Sequence, residues 1–101
     1  MARLIWTERA VADLDEIAEY IALDNPKASK ELVVRVAEHV DQLERHPFSG
    51  PVISEFEGEK YRQISETPCR VIYRFDGKSV IVLRVLRSEQ LLRRSSLDEL
   101  E

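Results

Sequence analysis

The spacing of apolar residues changes once along this chain, and that change limits the folds that the chain can adopt. Between positions 8 and 45, apolar residues recur every three or four positions, which is typical of amphipathic helices. From position 61 to position 86 they alternate with polar residues or run together, as in β-strands. Pro47, Gly50 and Pro51 separate the two patterns, because these residue types interrupt helices and central strands. The chain therefore places helices first and strands after them.

The helical half is divided by one connection. Residues 3–6 predict a short strand, and Thr7 can cap a first helix that runs to about Leu23, because its hydroxyl can accept a backbone N–H of the first turn. Asn25-Pro26 predicts a restart, with asparagine as N-cap and proline as the first helical residue. The second helix is expected to end near Arg45. A connection of three residues makes the pair an antiparallel helical hairpin.

The second half predicts three strands. They cover Tyr61–Ser65, Cys69–Phe75 and Ser79–Leu86, with Asp76-Gly77 as a hairpin turn between the last two. Ser88 to Glu101 is compatible with a terminal helix. The order β-α-α-β-β-β predicts a single α+β domain over residues 1–101, in which an N-terminal strand and the helical hairpin pack on one antiparallel sheet.

Strand alternation assigns the side chains of the last two strands to two faces of the sheet. The set expected to face the helices is Val71, Tyr73, Phe75, Ile81, Leu83 and Val85. Val80 is assigned to the opposite, outer side together with Val82, Arg84 and Leu86. This outer, solvent-exposed face is expected to mix arginine with aliphatic residues: Arg70, Ile72, Arg74, Val82, Arg84 and Leu86. Such a face suits a protein partner, because apolar burial gives affinity and charge gives orientation.

Charge is distributed unevenly along the chain. Residues 1–59 hold 6 basic and 13 acidic side chains, residues 60–94 hold 9 basic and 3 acidic ones, and residues 95–101 hold 3 acidic ones. The net charge of −4 therefore contains a basic strand segment of +6, which predicts an anionic partner. With one cysteine, no internal disulfide can form, and no apolar run is long enough for a membrane span or a signal peptide. A cytoplasmic protein is expected.

Residues suited to catalysis are few. Cys69 has no histidine beside it and is interpreted as a small core residue, while His39 and His46 favour solvated or capping roles. Acidic pairs on the first helix have metal-ligand spacing but are interpreted as a solvated face, and no glycine-rich phosphate loop is present. We therefore expect no metal and no cofactor. Arginine can bind anions, but proton transfer at neutral pH needs another group.

Short motifs in a fixed order carry a resemblance to a known family. In chain order they are Ile5-Trp6-Thr7, Ala10, Asp13-Leu14, Ile17, Tyr20-Ile21, a Leu-x-x-x-Pro-x-x-Gly pattern from Leu43 to Gly50, Tyr61-Arg62, Arg70-Val71-Ile72-Tyr73 and the strand Val80 to Leu86. Over about residues 3–90 the chain resembles the RelE/ParE toxins of bacterial type II toxin–antitoxin pairs. The resemblance implies a single toxin domain with the fold of that family.

Two activities occur within the family. RelE-like members cleave messenger RNA on the ribosome with a basic cluster and a tyrosine or histidine near the C-terminus, whereas ParE-like members inhibit DNA gyrase. By position, Arg62 and Arg70 match the ribonuclease pattern, but no Tyr or His follows Tyr73, and Arg87-Ser88-Glu89-Gln90 stands where many members have a histidine. The chain therefore looks ParE-like. Two alternatives stay open, namely a ribosome-dependent endonuclease using Arg62, Arg70 and Arg84, and an inactive antitoxin-binding relative.

The resemblance also implies partners. These are a cognate ParD-like antitoxin with an acidic-hydrophobic tail, bound in a hetero-oligomer, and DNA gyrase as the target. Contact with DNA is expected only through the antitoxin or gyrase, and no membrane contact is expected. The residues expected to bind antitoxin or target are Arg62, Arg70, Ile72, Arg74, Val82, Arg84, Leu86 and Arg87.

Overall fold

Two helices pack on a four-stranded sheet in the computed structural model, which describes residues 1–53, 60–93 and 97. In chain order the elements are strand β1 (Arg3–Trp6), helix α1 (Glu8–Ala22), helix α2 (Pro26–Asp41), and strands β2 (Tyr61–Glu66), β3 (Cys69–Phe75) and β4 (Ser79–Arg87). The predicted α+β class and element order are confirmed. The α-helical hydrogen bonding of α2 ends at Asp41, four residues before the predicted end, and a 3-10 turn follows over Gln42–Glu44. None of the helices within the described ranges has the length and apolarity needed to cross a membrane.

Both helices begin at the predicted caps. The Thr7 hydroxyl accepts the Ala10 N–H at 3.1 Å, and the Asn25 side chain accepts the Ala28 N–H at 3.1 Å. Each bond satisfies one donor that the first helical turn leaves open. Ser29 then donates to a carbonyl of α1, that of Ala18, at 2.6 Å. The hairpin is therefore held by polar contacts as well as by its apolar stripes.

The sheet is mixed, in the order β1-β4-β3-β2. β2 pairs with β3 and β3 pairs with β4, both antiparallel, whereas β1 runs parallel to β4, with Trp6 opposite Val82. The expected all-antiparallel sheet is wrong in this one pairing. The physical reason is the connection, because the whole helical hairpin and two strands separate β1 from β4, and a long connection allows parallel pairing.

β4 contains a β-bulge at Leu83. Its register against β3 steps from Val82 opposite Tyr73 to Arg84 opposite Ile72, so Leu83 has no counterpart. An extra residue interrupts the period of two by which side chains alternate between faces. Strict alternation therefore does not hold along the whole strand.

The predicted faces of β4 are corrected accordingly. Val80 and Val82, expected on the outer face, belong to the core beneath the helices, while Ile81 and Leu83, expected toward the helices, lie on the outer side. Beyond the bulge, Val85 faces the helices as predicted. In β3 the helix-facing set is confirmed: Val71, Tyr73 and Phe75.

Both faces of the sheet are apolar and covered. The inner face packs on Leu14 and Ile17 of α1 and on Leu32, Val36 and Val40 of α2. The outer face carries a second group of buried residues, called the outer cluster here: Ile53, Tyr61, Ile72, Leu83, Leu86, Leu92 and Leu97. The prediction of a solvent-exposed outer face is therefore wrong for its aliphatic members.

The outer cluster receives part of its cover from beyond β4. Residues 88 and 89 form a turn and residues 90–93 have no regular secondary structure, so the predicted terminal helix does not include them. Leu97 has helical backbone conformation, and the remainder of the predicted helix lies outside the described residues.

Candidate functional site

The basic residues predicted to form one binding face occupy three different places in the structure. Arg62 holds a loop, Arg70 and Arg74 stand on the outer face, and Arg84 and Arg87 line a groove beside α1. The predicted set is therefore partly divided, and each place has its own geometry.

Arg62 on β2 is bound to the loop that follows the helices. Its guanidinium donates to the Gly50 carbonyl at 2.8 Å and lies 5.1 Å from the centroid of the Phe48 ring. Phe48 in turn meets Phe75 edge to face, with ring centroids 5.2 Å apart. Through these contacts, Arg62 holds residues 48–50 against β2.

Tyr73 holds the same loop from the inner face of the sheet. Its hydroxyl donates to the Pro47 carbonyl at 2.8 Å and accepts the Gly50 N–H at 3.0 Å. Burial raises the pKa of the Tyr73 phenol above its ordinary value. A Cβ at Gly50 would lie 2.4 Å from the Gln63 carbonyl oxygen, so only glycine fits there. The proline and glycine of the Leu-x-x-x-Pro-x-x-Gly pattern are thus both partners of one tyrosine.

Arg70 and Arg74 are placed on the outer side of β3, as predicted. Arg70 lies opposite Leu86 of β4 and donates to the Gln90 carbonyl at 3.4 Å, and Arg74 lies opposite Ile81. Both arginines are half-buried. Their apolar neighbours Ile72 and Leu86 are buried in the outer cluster, so what this part of the face offers an acidic partner is mainly positive charge.

Arg84 is buried against α1 and does not belong to the outer face. Its Nε donates to Asp13 Oδ2 at 2.7 Å and its Nη2 donates to Asp13 Oδ1 at 3.1 Å. The Val85 N–H also donates to Asp13 Oδ2, at 3.0 Å. The prediction that Arg84 lies on the outer face is wrong, because its buried guanidinium is paired with a carboxylate that comes from a residue 71 positions away in sequence.

Asp13 is a site residue that the sequence interpretation missed, since it was assigned to the solvated face of the first helix. It is buried, and it falls between Ala10, Leu14 and Ile17 in the apolar stripe of α1. A carboxylate in an apolar stripe is a signal for a buried partner, and β4 supplies that partner.

A groove of about 480 Å³ lies between α1 and the end of β4. Arg87 stacks on the Tyr20 ring there, with its guanidinium carbon 4.6 Å from the ring centroid. The charged residues lining the groove are three arginines and three carboxylates: Arg9, Arg84, Arg87, Asp13, Glu16 and Glu89. Because the charges balance, the groove does not favour a ligand of either sign.

The histidines belong to α2 and to the loop after the helices, and Cys69, although next to Arg70 in sequence, belongs to the inner core. His39 Nδ1 is 3.0 Å from Glu66 Oε2, and Arg35 donates to the other oxygen of that carboxylate at 3.1 Å, joining α2 to β2. His46 is exposed in the loop after the helices. Cys69 is fully buried, as predicted, and burial raises the pKa of its thiol. In residues 1–53 and 60–93, no three His, Cys, Asp or Glu side chains form a group that could hold a metal ion.

With this geometry described, comparison with known proteins identifies the family. The model for the ParE toxin of the type II toxin–antitoxin system parDE matches residues 4–92. The chain therefore belongs to the ParE toxin family, and it is a toxin of the type II toxin–antitoxin class.

Two proteins of known sequence support this assignment. Y4kP of Sinorhizobium fredii is 33% identical over 88 residues, covering 87% of this chain and 90% of its own length. Its name describes it as a toxin, an assignment made by inference. Toxin RelE2 of Caulobacter vibrioides is 38% identical over 50 residues, covering 50% of this chain and 57% of its own length.

Two solved structures share the fold. A chain from the chromosomal ParDE toxin–antitoxin system of Pseudomonas aeruginosa superposes with a TM-score of 0.75 and 28% identity, covering 88% of this chain and 98% of that one. A chain from the RelBE2 toxin–antitoxin complex of Mycobacterium tuberculosis gives a TM-score of 0.61 at 22% identity, covering 85% and 96%.

Proposed function

We propose that this chain is a ParE-like toxin that inhibits DNA gyrase by protein–protein contact and is neutralised by a cognate ParD-like antitoxin in a cytoplasmic hetero-oligomer. Contact with DNA would come only through the antitoxin or gyrase. One observation carries the choice of a binding activity over a catalytic one. Arg70 and Arg74 border apolar side chains on the outer face, while both histidines lie elsewhere and Tyr73 is turned into the protein with its hydroxyl held by the Pro47 carbonyl and the Gly50 N–H.

Physical chemistry favours binding at such a face. A guanidinium keeps its charge at every physiological pH and grips carboxylates through two parallel donors, so it orients an acidic partner well. Cleavage of RNA by general acid–base catalysis needs a group that can give and take a proton near neutral pH, which arginine does not do. The match of the ParE model over residues 4–92 supports the same branch of the family.

A supercoiling assay with purified gyrase tests the proposal directly. We expect the wild-type chain to inhibit supercoiling and the Arg70→Glu variant to lose most of that inhibition, because the charge that orients the partner is reversed. Lys78→Glu is the matched control, since it makes the same charge change at the exposed β3–β4 turn. Thermal melting of both variants confirms that each is folded. Normal supercoiling at a large molar excess of wild-type chain would refute the proposal.

A messenger RNA endonuclease is the second candidate, and one structural observation favours it. Tyr61 lies on the outer side of the sheet, paired with Arg74, so a phenol does adjoin one of the arginines. Induction of the chain in growing cells separates the two activities. Cut transcripts with intact supercoiling would support the endonuclease, growth arrest with failing DNA replication would support gyrase inhibition, and unchanged growth would indicate an inactive antitoxin-binding relative.

A further inference from the structure

The described strands leave three borders of the sheet, and contacts within the chain occupy two of them. On β2, the Gln63 N–H donates to a carbonyl of the preceding loop at 3.0 Å. At the end of β4, the Val85 N–H donates to Asp13 at 3.0 Å. Along β1, none of the described residues accepts a hydrogen bond from the N–H of Leu4 or Trp6. A strand edge with such groups can pair with another strand.

The hydrogen bonds around β1 show which backbone groups are available. The N–H groups of Arg3 and Thr7 donate to carbonyls on the β4 side, at 2.9 and 3.1 Å. Successive residues of a strand direct their backbone groups to opposite edges, so the N–H and C=O groups of Leu4 and Trp6 point away from β4. The Ala2 N–H is already bound by a carbonyl of the 3-10 turn at 2.8 Å. Two residues of β1 are therefore available for pairing.

The side chains along this edge are apolar on both faces of the sheet. Leu4 and Trp6 are half-buried against the inner core. Ile5 is 39% exposed and lies opposite Ile81 of β4, which packs on the outer side. Proteins often protect a free edge with charged residues or proline, whereas this edge carries an exposed isoleucine at its centre.

We propose that β1 pairs with β1 of a second copy of this chain, in antiparallel orientation, so that the two sheets join into one. Antiparallel pairing follows from two-fold symmetry, which is the commonest symmetry of soluble dimers. Pairing Leu4 with Trp6 of the second copy uses both available N–H groups of each strand and gives four hydrogen bonds. Pairing Leu4 with Leu4 would press the second strand against the 3-10 turn at Ala2, and pairing Trp6 with Trp6 would press it against α1.

This register also places apolar side chains against each other. Ile5 faces Ile5 of the second copy across the two-fold axis, with Cα atoms about 4.5 Å apart, as in any antiparallel pair without hydrogen bonds between the two residues. Because Ile81 lies beside Ile5, four isoleucines form a row across the joined sheets on the outer side. On the inner side, Leu4 packs on Trp6 of the second copy. Cross-strand pairs of β-branched and aromatic residues stabilise a sheet.

Charges at the two ends of β1 are complementary in the same register. Arg3 begins the strand and Glu8 follows its end, and both are exposed. Antiparallel pairing brings Arg3 near Glu8 of the second copy, twice by symmetry, and opposite charges favour this orientation. The Thr7 hydroxyl and N–H both donate to the Val82 carbonyl, which turns α1 toward β4 and away from the free edge.

Sedimentation equilibrium of the purified full chain tests the pairing. We expect a dimer whose share rises with protein concentration. Ile5→Lys should weaken dimerisation at least about tenfold, because it places two ammonium groups directly opposite each other. Val34→Lys is the matched control, since Val34 is 54% exposed on α2 and the same substitution there should leave dimerisation unchanged. A wild-type chain that stays monomeric at every accessible concentration, or a dimer that is insensitive to Ile5→Lys, would overturn the proposal.

Disulfide cross-linking tests the register. Ile5→Cys should give a covalent dimer under oxidising conditions, because Cα atoms about 4.5 Å apart permit a disulfide. Arg3→Cys should not, because residue 3 faces residue 7 of the second copy, and an offset of four positions separates the two cysteines by roughly 13 Å. The native Cys69 is fully buried and does not compete. Equal cross-linking of both variants would refute the register, and no cross-linking of Ile5→Cys would refute the pairing.

Thermal melting shows whether each variant is folded. If Ile5→Lys is unfolded, Ile5→Thr takes its place, because threonine keeps the strand propensity of isoleucine and removes apolar surface, so dimerisation should weaken by a smaller factor. An Ile5→Thr chain that is folded and dimerises as wild type would count against the pairing. These measurements contain neither gyrase nor antitoxin, so they can fail while the proposed function holds, and they can succeed while it fails.

Discussion

Both faces of the sheet carry buried apolar residues, but they are covered in different ways. The inner face is covered by α1 and α2, whose buried stripes belong to a hairpin fixed by Thr7, Asn25 and Ser29. On the outer face, the described residues outside the strands that join the buried cluster are Ile53, Leu92 and Leu97, none of which lies in α1 or α2. A helix cannot leave a sheet without losing its whole stripe, whereas a segment anchored by one or two side chains can open locally. Burial of a sheet residue therefore does not by itself show how firmly that residue is covered.

The largest loss of unfolding free energy is expected on breaking the ion pair between Asp13 of α1 and Arg84 of β4. Replacing Asp13 by alanine leaves the Arg84 guanidinium buried without its carboxylate, and we expect the free energy of unfolding to fall by about 3–5 kcal/mol. Urea denaturation measures the change. Arg9→Ala is the control, because Arg9 also binds Asp13 but is 54% exposed, and its loss should cost less than about 1 kcal/mol. If the two variants lost the same unfolding free energy, the Arg84 guanidinium would have to be hydrated once Asp13 is removed.

Leucine truncation on each face compares the covers directly. Leu32→Ala in α2 should lower the free energy of unfolding by about 3 kcal/mol, because the surrounding helix and sheet cannot close the cavity. Leu97→Ala should cost about 1 kcal/mol, because its segment can detach while the sheet stays folded. Trypsin cleavage after Arg93 should become faster in Leu97→Ala and stay slow in Leu32→Ala under conditions where both are folded. Similar unfolding losses with unchanged cleavage would show that the outer cover is as fixed as the helices.

Tyr73 connects the two faces, because it lies on the inner side yet holds the loop that leads to Ile53. Tyr73→Phe leaves the Gly50 N–H without its partner, and we expect a loss of about 2 kcal/mol in urea denaturation. Burial raises the pKa of the phenol above its ordinary value of 10.0, so the unfolded chain ionises first. This contribution to stability is present below pH 10 and is lost as pH rises further. Wild type should therefore lose stability faster than Tyr73→Phe between pH 9 and 11, and parallel curves would contradict the assignment.

The smallest effect is expected at the turn of the helical hairpin. Asn25→Ala removes the acceptor of the Ala28 N–H, which should cost about 1 kcal/mol of unfolding free energy. Because the hairpin unfolds only with the whole inner core, the loss should appear in global denaturation and leave cleavage after Arg93 unchanged. Faster cleavage in this variant would mean that the two covers are coupled.

Features of this protein that depend on neighbouring residues could be predicted from the sequence, whereas features that depend on residues far apart in the chain could not. Both N-caps, the hairpin turn at Asp76-Gly77 and the order of elements are local, and all were predicted from neighbouring residues. The faces of Val80 to Leu83 in β4 were predicted incorrectly because the bulge at Leu83 is defined only by pairing with β3.

The candidate site was predicted less completely than the fold. Arg70, Ile72, Arg74 and Leu86 lie on the outer side as expected, because short-range alternation places them there. Arg84 could not be placed without Asp13, and neither residue indicates the other by sequence proximity. Leu92 and Leu97 pack with Ile72 and Leu86 in the outer cluster, but both lie beyond the last strand, where alternation along a strand does not indicate which face a side chain meets.

The carboxylate of Asp13 also affects how this protein behaves among its own copies. β1 ends opposite Val82, and none of the described strands pairs with the rest of β4 on that side. Other chains can add strands to such an edge and aggregate. Asp13 takes the Val85 N–H, and the Gln90 side chain takes the Arg87 N–H at 2.8 Å, so two successive donors of that edge are already occupied. A chain in which these donors of the β4 edge were unoccupied would aggregate more readily at high concentration. Asp13→Ala should therefore form aggregates more readily than its loss of folding free energy alone accounts for.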